Sequence, residues 1–131
     1  MVENSSIKNI EVGKFYLIHD GSDTGHPGLI VQKDDANNRY LVIITESDKE
    51  GNMSKREADK RHLTDLSYPT DSTVIKSYVK NRPMICKRRD IGSKELINMR
   101  INEVDMEIIS MIKQRRPKYS PSFKKHKKSN R

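Results

Sequence analysis

Apolar residues along the chain fall in short runs broken by turn residues. Phe15-Tyr16-Leu17-Ile18 follows Gly13. Leu29-Ile30-Val31 follows a polar loop, Asp20 to Gly25, and then His26-Pro27-Gly28. Tyr40 to Thr45 follows the polar turn Asp34 to Asn38. Runs of this length, rich in β-branched and aromatic side chains, predict strands at about 14–19, 28–33 and 39–46. Pro27 pushes His26 toward extended backbone. Asn37-Asn38 suits a tight hairpin, because Asn tolerates positive φ. In the polar segment before Gly13, Ile7, Ile10 and Val12 can pack down onto a sheet.

Further along, the pattern predicts short strands at about 61–66, 72–79 and 83–88. Pro83 can only begin a strand or lie on an edge. Ser54 to Arg61 has the mixed charges of a short surface helix. Ser93 to Ile97 reads as another short helical turn. The closing helix is capped by Asn102 and carries Val104, Ile108, Met111 and Ile112 as one apolar stripe, expected to be core. Pro117 ends it. Five to seven short strands and one terminal helix predict a mainly β fold with a C-terminal helix. A small bent barrel closed by the helix is the economical arrangement.

Composition narrows this picture. In 131 residues the hydrophobic fraction is 33% and the charged fraction 34%, so one domain with a modest core is expected. No apolar run approaches the ~20 residues of a membrane span, and the N-terminus lacks the basic start and apolar stretch of a secretion signal. The single cysteine, Cys86, suits a reducing cytoplasm, with its apolar neighbours marking it as a buried structural thiol. The net charge of +8 is unevenly placed. From residue 114 on there are eight basic residues and no acidic one, leaving 18 basic residues to balance the 18 acidic ones before it. The expected organisation is a neutral body over 1–113 and a basic, disordered tail over 114–131.

The chain has no phosphate-cradling glycine motif, no CxxC or HExxH spacing, and no nucleophile elbow. Its four histidines are scattered, which argues against a zinc site; no cofactor is expected. Metal-free cleavage of RNA needs only a proton carrier and donors for the charge on phosphorus, because the 2′-hydroxyl already lies beside the phosphate. His26 is a proton carrier suited to neutral pH, and Thr45 can contact a phosphate oxygen.

Gly13 to Ile18, the polar loop, and Gly25-His26-Pro27-Gly28-Leu29-Ile30-Val31-Gln32 resemble the opening of the MazF/PemK family of toxin endoribonucleases. Ile43-Ile44-Thr45 is similar to that family's third strand and active-site Thr. Asp71 to Ile75, Arg82 to Ile85, and Asn102 to Ile112 resemble its later strand pair and closing helix. The resemblance covers about residues 11–113. It implies an SH3-like barrel that forms a homodimer and cuts single-stranded RNA without metal, leaving a cyclic phosphate. It also implies an antitoxin protein as partner. One position departs from the family: His26 stands where Arg usually precedes the Pro, and imidazole lacks the planar fork that grips phosphate.

Other candidate RNA contacts are His19 beside the polar loop, Arg82 beside Pro83, and Arg115, Arg116, Lys118, Tyr119, Lys124 and Lys125 in the basic segment. Cations of this kind attract polyanions at low salt, and an interleaved aromatic can stack on unpaired bases. The turn Lys87 to Asp90 reads as solvated. Two rivals to the nuclease remain: an inactive barrel that binds nucleic acid or a ribonucleoprotein through its basic tail, and a peptide-binding module.

Overall fold

The computed structural model describes residues 9–48, 52–66 and 76–123. Strand β1 spans Phe15–Ile18, β2 His26–Asp34 and β3 Arg39–Asp48. Helix α1, Lys55–Lys60, is followed by β4 (Leu63–Asp65), β5 (Lys76–Lys80), β6 (Met84–Cys86) and β7 (Ile91–Glu95). Helix α2, Met106–Lys113, and the two-residue strand β8, Lys118–Tyr119, follow. The protein is mainly β with a short helix near the C-terminus, and among the described residues eight strands form one open sheet: six run in the order β4-β5-β3-β2-β1-β7, with β6 added to β3 and β8 to β6. All pairings are antiparallel except that of β6 with β8.

The long hairpin of β2 and β3 is the centre of the sheet. Its turn is a 3₁₀ step, Asp35–Asn37, closed by Asn38 in the left-handed region at φ 56°. Asp34 holds the turn by accepting from the Asn37 amide. One edge of β3 serves two partners: β6 pairs with Tyr40–Val42, and β5 with Thr45–Asp48. On the other edge the ladder with β2 slips by one residue between Ile30 and Gln32. Such a bulge bends a strand and strengthens its twist.

Both faces of the central strands are buried, which explains their unbroken apolar runs. One core cluster takes Tyr16, Ile18, Ile30, Val42, Ile44 and the thiol Cys86, with Ile10 packed down from the N-terminal segment. The other takes the alternate residues Phe15, Leu29, Val31 and Ile43 together with Val79, Ile109 and Ile112. Val12, by contrast, is exposed. Ile7, residues 72–75 of the expected fifth strand, Lys124 and Lys125 lie outside the described residues.

Three expectations are corrected. Helix α2 begins at Met106, with a 3₁₀ step before it and no side-chain cap from Asn102. Its inward face is therefore Ile108, Ile109 and Ile112, while Val104 and Met111 are more than half exposed. Residues 91–95 form a strand instead of a helical turn, because β1 offers a free edge: Ile18 faces Ile91, Tyr16 faces Glu95, and the Leu96 amide reaches the Phe15 carbonyl at 2.8 Å. Pairing an open row of backbone groups outweighs weak helix propensity.

The third correction concerns residues 114–123 of the basic segment, which are held against the body. Lys118 and Ser120 donate their amides to the carbonyls of Pro83 and Ile85, both at 2.9 Å. Arg82 grips the carbonyls of Arg116 and Pro117, and Arg115 grips that of Asn81. The anchor is Asp90, 5% exposed, which accepts from the hydroxyls of Ser120 and Ser122 and from the Lys87 amide. Hydrogen bonds to a buried carboxylate are stronger than neutral ones, and they order a segment that has little apolar pattern. The turn Lys87 to Asp90, expected to be solvated, is thus the socket of the C-terminal segment. Its Arg88 also bonds the Tyr40 hydroxyl at 2.8 Å.

Candidate active site

The loop between β1 and β2 is shaped by its own polar groups. Asp20 Oδ1 accepts from the amide and the hydroxyl of Ser22, at 3.2 and 2.7 Å. The Ser22 hydroxyl in turn accepts from the Gly25 amide at 3.0 Å. Gly25 has φ +74°, and a Cβ there would lie 2.6 Å from the Ile18 carbonyl oxygen, so only glycine fits. These bonds deliver Asp20 Oδ2 to His26 Nδ1 at 2.8 Å. A carboxylate only accepts, so Nδ1 donates its proton to Asp20.

His26 opens β2, and the ladder from Gly28 opposite Ile44 continues to place it across from Glu46. Nε2 lies 3.4 Å from Glu46 Oε2. The other Glu46 oxygen pairs with Arg61, which follows α1. The result is a row, Asp20–His26–Glu46–Arg61, drawn from the loop, the two hairpin strands and the end of α1. The carboxylates are nearly buried and the imidazole is a quarter exposed. Burial acts to raise the Asp20 carboxyl, but the Ser22 hydroxyl, the His26 ring and the Ser22 amide together hold it below the ordinary carboxylate value. Asp20 therefore stays ionised beside the ring and accepts from Nδ1.

Arg61 is also the rim of a depression of about 240 Å³ lined by Arg61, His62, Lys80, Asn81, Arg82 and Lys118. The depression lies between the α1–β4 turn, the β5–β6 turn and β8. His62 has φ +59°, in the left-handed region, and its carbonyl accepts from the Asn81 amide at 3.0 Å.

The structure brings His26 to this site but not Thr45. Thr45 faces Val79 of β5, is 3% exposed, and donates its hydroxyl to the Pro27 carbonyl at 3.0 Å. Successive strand residues point to opposite faces, so Thr45 sits behind the ribbon while Glu46 stands in front. His19 is exposed and adjoins Asp20, with its amide on the Asp90 carbonyl. Arg82 and Arg115 use their guanidinium groups on backbone carbonyls. Arg116 is exposed, and Lys118 lines the depression. Tyr119 packs edge-on against Phe123, with centroids 5.2 Å apart.

Sequence reasoning missed Asp20 as the partner of His26, and Glu46 and Arg61 altogether. The Asp-x-Ser spacing of Asp20 and Ser22 was a readable sign of a self-bonded loop. Glu46 had no such sign. Among the described residues, no cluster of three or more His, Cys, Asp and Glu side chains is arranged to hold a metal ion, and no helix is long and apolar enough to cross a membrane. No family model, curated protein or solved structure matches this chain.

Proposed function

We propose that this chain is an endoribonuclease of the MazF/PemK-like toxin class that cleaves single-stranded RNA without a metal ion, with His26 as its proton-transfer residue. The observation that carries the reading is the imidazole, a quarter exposed and oriented through Nδ1 by Asp20, with Nε2 3.4 Å from Glu46, whose other oxygen holds Arg61 at the rim of a basic depression. In the proposed reaction Nε2 takes the 2′-hydroxyl proton as the 2′-oxygen attacks phosphorus. The bond from phosphorus to the 5′-oxygen breaks, and that oxygen takes a proton from water. A 2′,3′-cyclic phosphate and a 5′-hydroxyl remain. Asp20 stabilises the imidazolium, as the carboxylate does in other Asp–His pairs, and Arg61 supplies charge for the developing phosphorane.

The family reading extends to architecture and partners. An SH3-like curl of the sheet is supported by the way β3 divides one edge between β5 and β6. The exposed Val104, Met106 and Met111 support a covered surface on the α2 side, in keeping with a homodimer or an antitoxin partner.

The test is to incubate the full chain with a long single-stranded RNA in EDTA and to map the ends. The expected result is discrete cuts with cyclic phosphate ends, slowed about 10²–10⁴-fold by His26→Ala. Intact RNA, or cuts indifferent to His26→Ala, overturns the assignment. Intact RNA with a salt-sensitive mobility shift would favour the non-catalytic nucleic-acid-binding module.

A further inference from the structure

We propose that the depression beyond Arg61 is a phosphate-binding subsite for single-stranded RNA, one wall of which is supplied by the docked C-terminal segment. For the direction of the strand, this rests on the nuclease reading above: RNA leaving His26 passes Arg61 and enters the depression.

The charge pattern is the first argument. Lys80, Lys118, Arg61, Arg82 and His62 converge from three separate stretches of chain, and among the described residues that line the depression none is acidic. Gathering the cations of Lys80, Lys118 and Arg82 is unfavourable without a counter-charge; Arg61 has one in Glu46. The body before residue 114 has no net charge to impose such a cluster. A bound anion removes the repulsion.

The second argument is rigidity. The floor is closed by the bond from the Asn81 amide to the His62 carbonyl. Arg82 is immobilised by two backbone carbonyls, and Arg61 by Glu46. Each guanidinium keeps unused N–H donors, since it has five. Lys118 is fixed by its own amide on Pro83 and, two residues on, by the burial of Ser120 against Asp90. Preorganised donors lose less entropy when they bind.

The third argument is continuity. Arg61 belongs both to the row that ends at His26 and to the rim of the depression. A phosphodiester at His26 therefore has its neighbour within reach of Lys80 and Lys118.

Two side-chain changes test this. The Lys80→Gln/Lys118→Gln variant is compared with a charge-matched control, Lys94→Gln/Lys113→Gln, whose lysines lie on β7 and α2. Binding of a 2′-O-methyl oligonucleotide, which resists cleavage, is measured from about 50 to 200 mM salt. Each lost phosphate contact lowers the slope of log K against log salt by about 0.7. The subsite variant is expected to lose about one contact and several-fold in affinity, and to raise KM for cleavage with kcat retained. The control is expected to keep the wild-type slope. Equal slopes for the two double variants overturn the proposal. A mononucleotide that binds as tightly as the oligonucleotide also overturns it, in favour of a small-molecule phosphate site. If His26→Ala leaves cleavage intact while the subsite variant still loses slope, the nuclease reading fails and the subsite stands.

Discussion

Replacing Ser120 by Ala tests whether the C-terminal segment is part of the working fold. Ser120 is fully buried, and its hydroxyl donates to Asp90 Oδ2 at 2.7 Å. The change removes one of three donors from a buried carboxylate and leaves Ser122 and the Lys87 amide in place. A hydrogen bond to a charged group contributes about 1.5–3 kcal/mol. The volume removed is one oxygen, so a cavity contribution is negligible. At ~2.1 cal/mol/K per residue, that loss lowers Tm by roughly 5–10 °C. Asp90→Ala goes further, because it strips both serine hydroxyls of their acceptor.

The assay is thermal unfolding by circular dichroism, with amide hydrogen exchange as the local readout. Exchange at Lys118 and Ser120, whose amides bond Pro83 and Ile85, is expected to accelerate in Ser120→Ala before the central strands respond. The loop holding Asp20 is expected to loosen as well, since Pro121 packs so close to Gly21 that a Cβ there would lie 3.0 Å away. A Tm within about 1 °C of the parent, with unchanged exchange at those two amides, would refute the argument that Asp90 anchors the segment. Ser110→Ala, an exposed position on α2, is the matched control and is expected to leave both readouts unchanged.

Other outcomes follow from the same geometry. Thr45→Val is expected to keep cleavage intact and to cost only about 1 kcal/mol, since the Pro27 carbonyl loses a partner while a methyl joins an apolar face; loss of cleavage in a folded variant would restore Thr45 to the site. Asp20 has its folded pKa depressed below that of an ordinary aspartate, so its contribution is fully present above the ordinary value and is lost as pH falls through the lower one. Acid titration of stability is expected to show this loss only below about pH 4, and Asp20→Asn is expected to remove it. Burial, then the charges of Asp90 and Asp20, push the Cys86 thiol well above its ordinary value. A thiol reagent is therefore expected to label Cys86 only in denaturant, and rapid labelling of the native protein would overturn its placement in the core.

The strands were legible because their signal is local. The apolar runs at 15–18, 29–31 and 40–45 mark β1, β2 and β3, and Asn38 takes the positive φ its residue type allows. Residues 91–95 and 118–123 were misread because their structure comes from distant partners: the open edge of β1, and the carboxylate of Asp90. Neither partner is visible in a local window of sequence. The same holds for α2, whose inward face of Ile108, Ile109 and Ile112 is set by the cluster of Phe15, Leu29 and Val79 that it packs on.

The site turns on a single residue of register. At the hairpin turn Asp34 faces Arg39 and Gln32 faces Leu41. Had that pairing continued unbroken, His26 would face Ser47, and Gly28 would face Thr45. Residues two apart share a face, so the imidazole and the threonine hydroxyl would have stood together. The slip between Ile30 and Gln32 moves the partner strand by one residue. A shift of one turns every side chain beyond it to the other face. Thr45 goes to the core side and Glu46 comes forward to His26, bringing Arg61 with it. Nothing in the composition of β2 announces that bulge. The residue types in the two strands admit a His–Thr site and a His–Glu–Arg site equally well, and which one exists is decided where one unpaired residue enters the ladder. A nuclease acting through this hairpin would thus depend on Arg61, held in place by Glu46, for the phosphate contact that an unbroken ladder would have asked of Thr45.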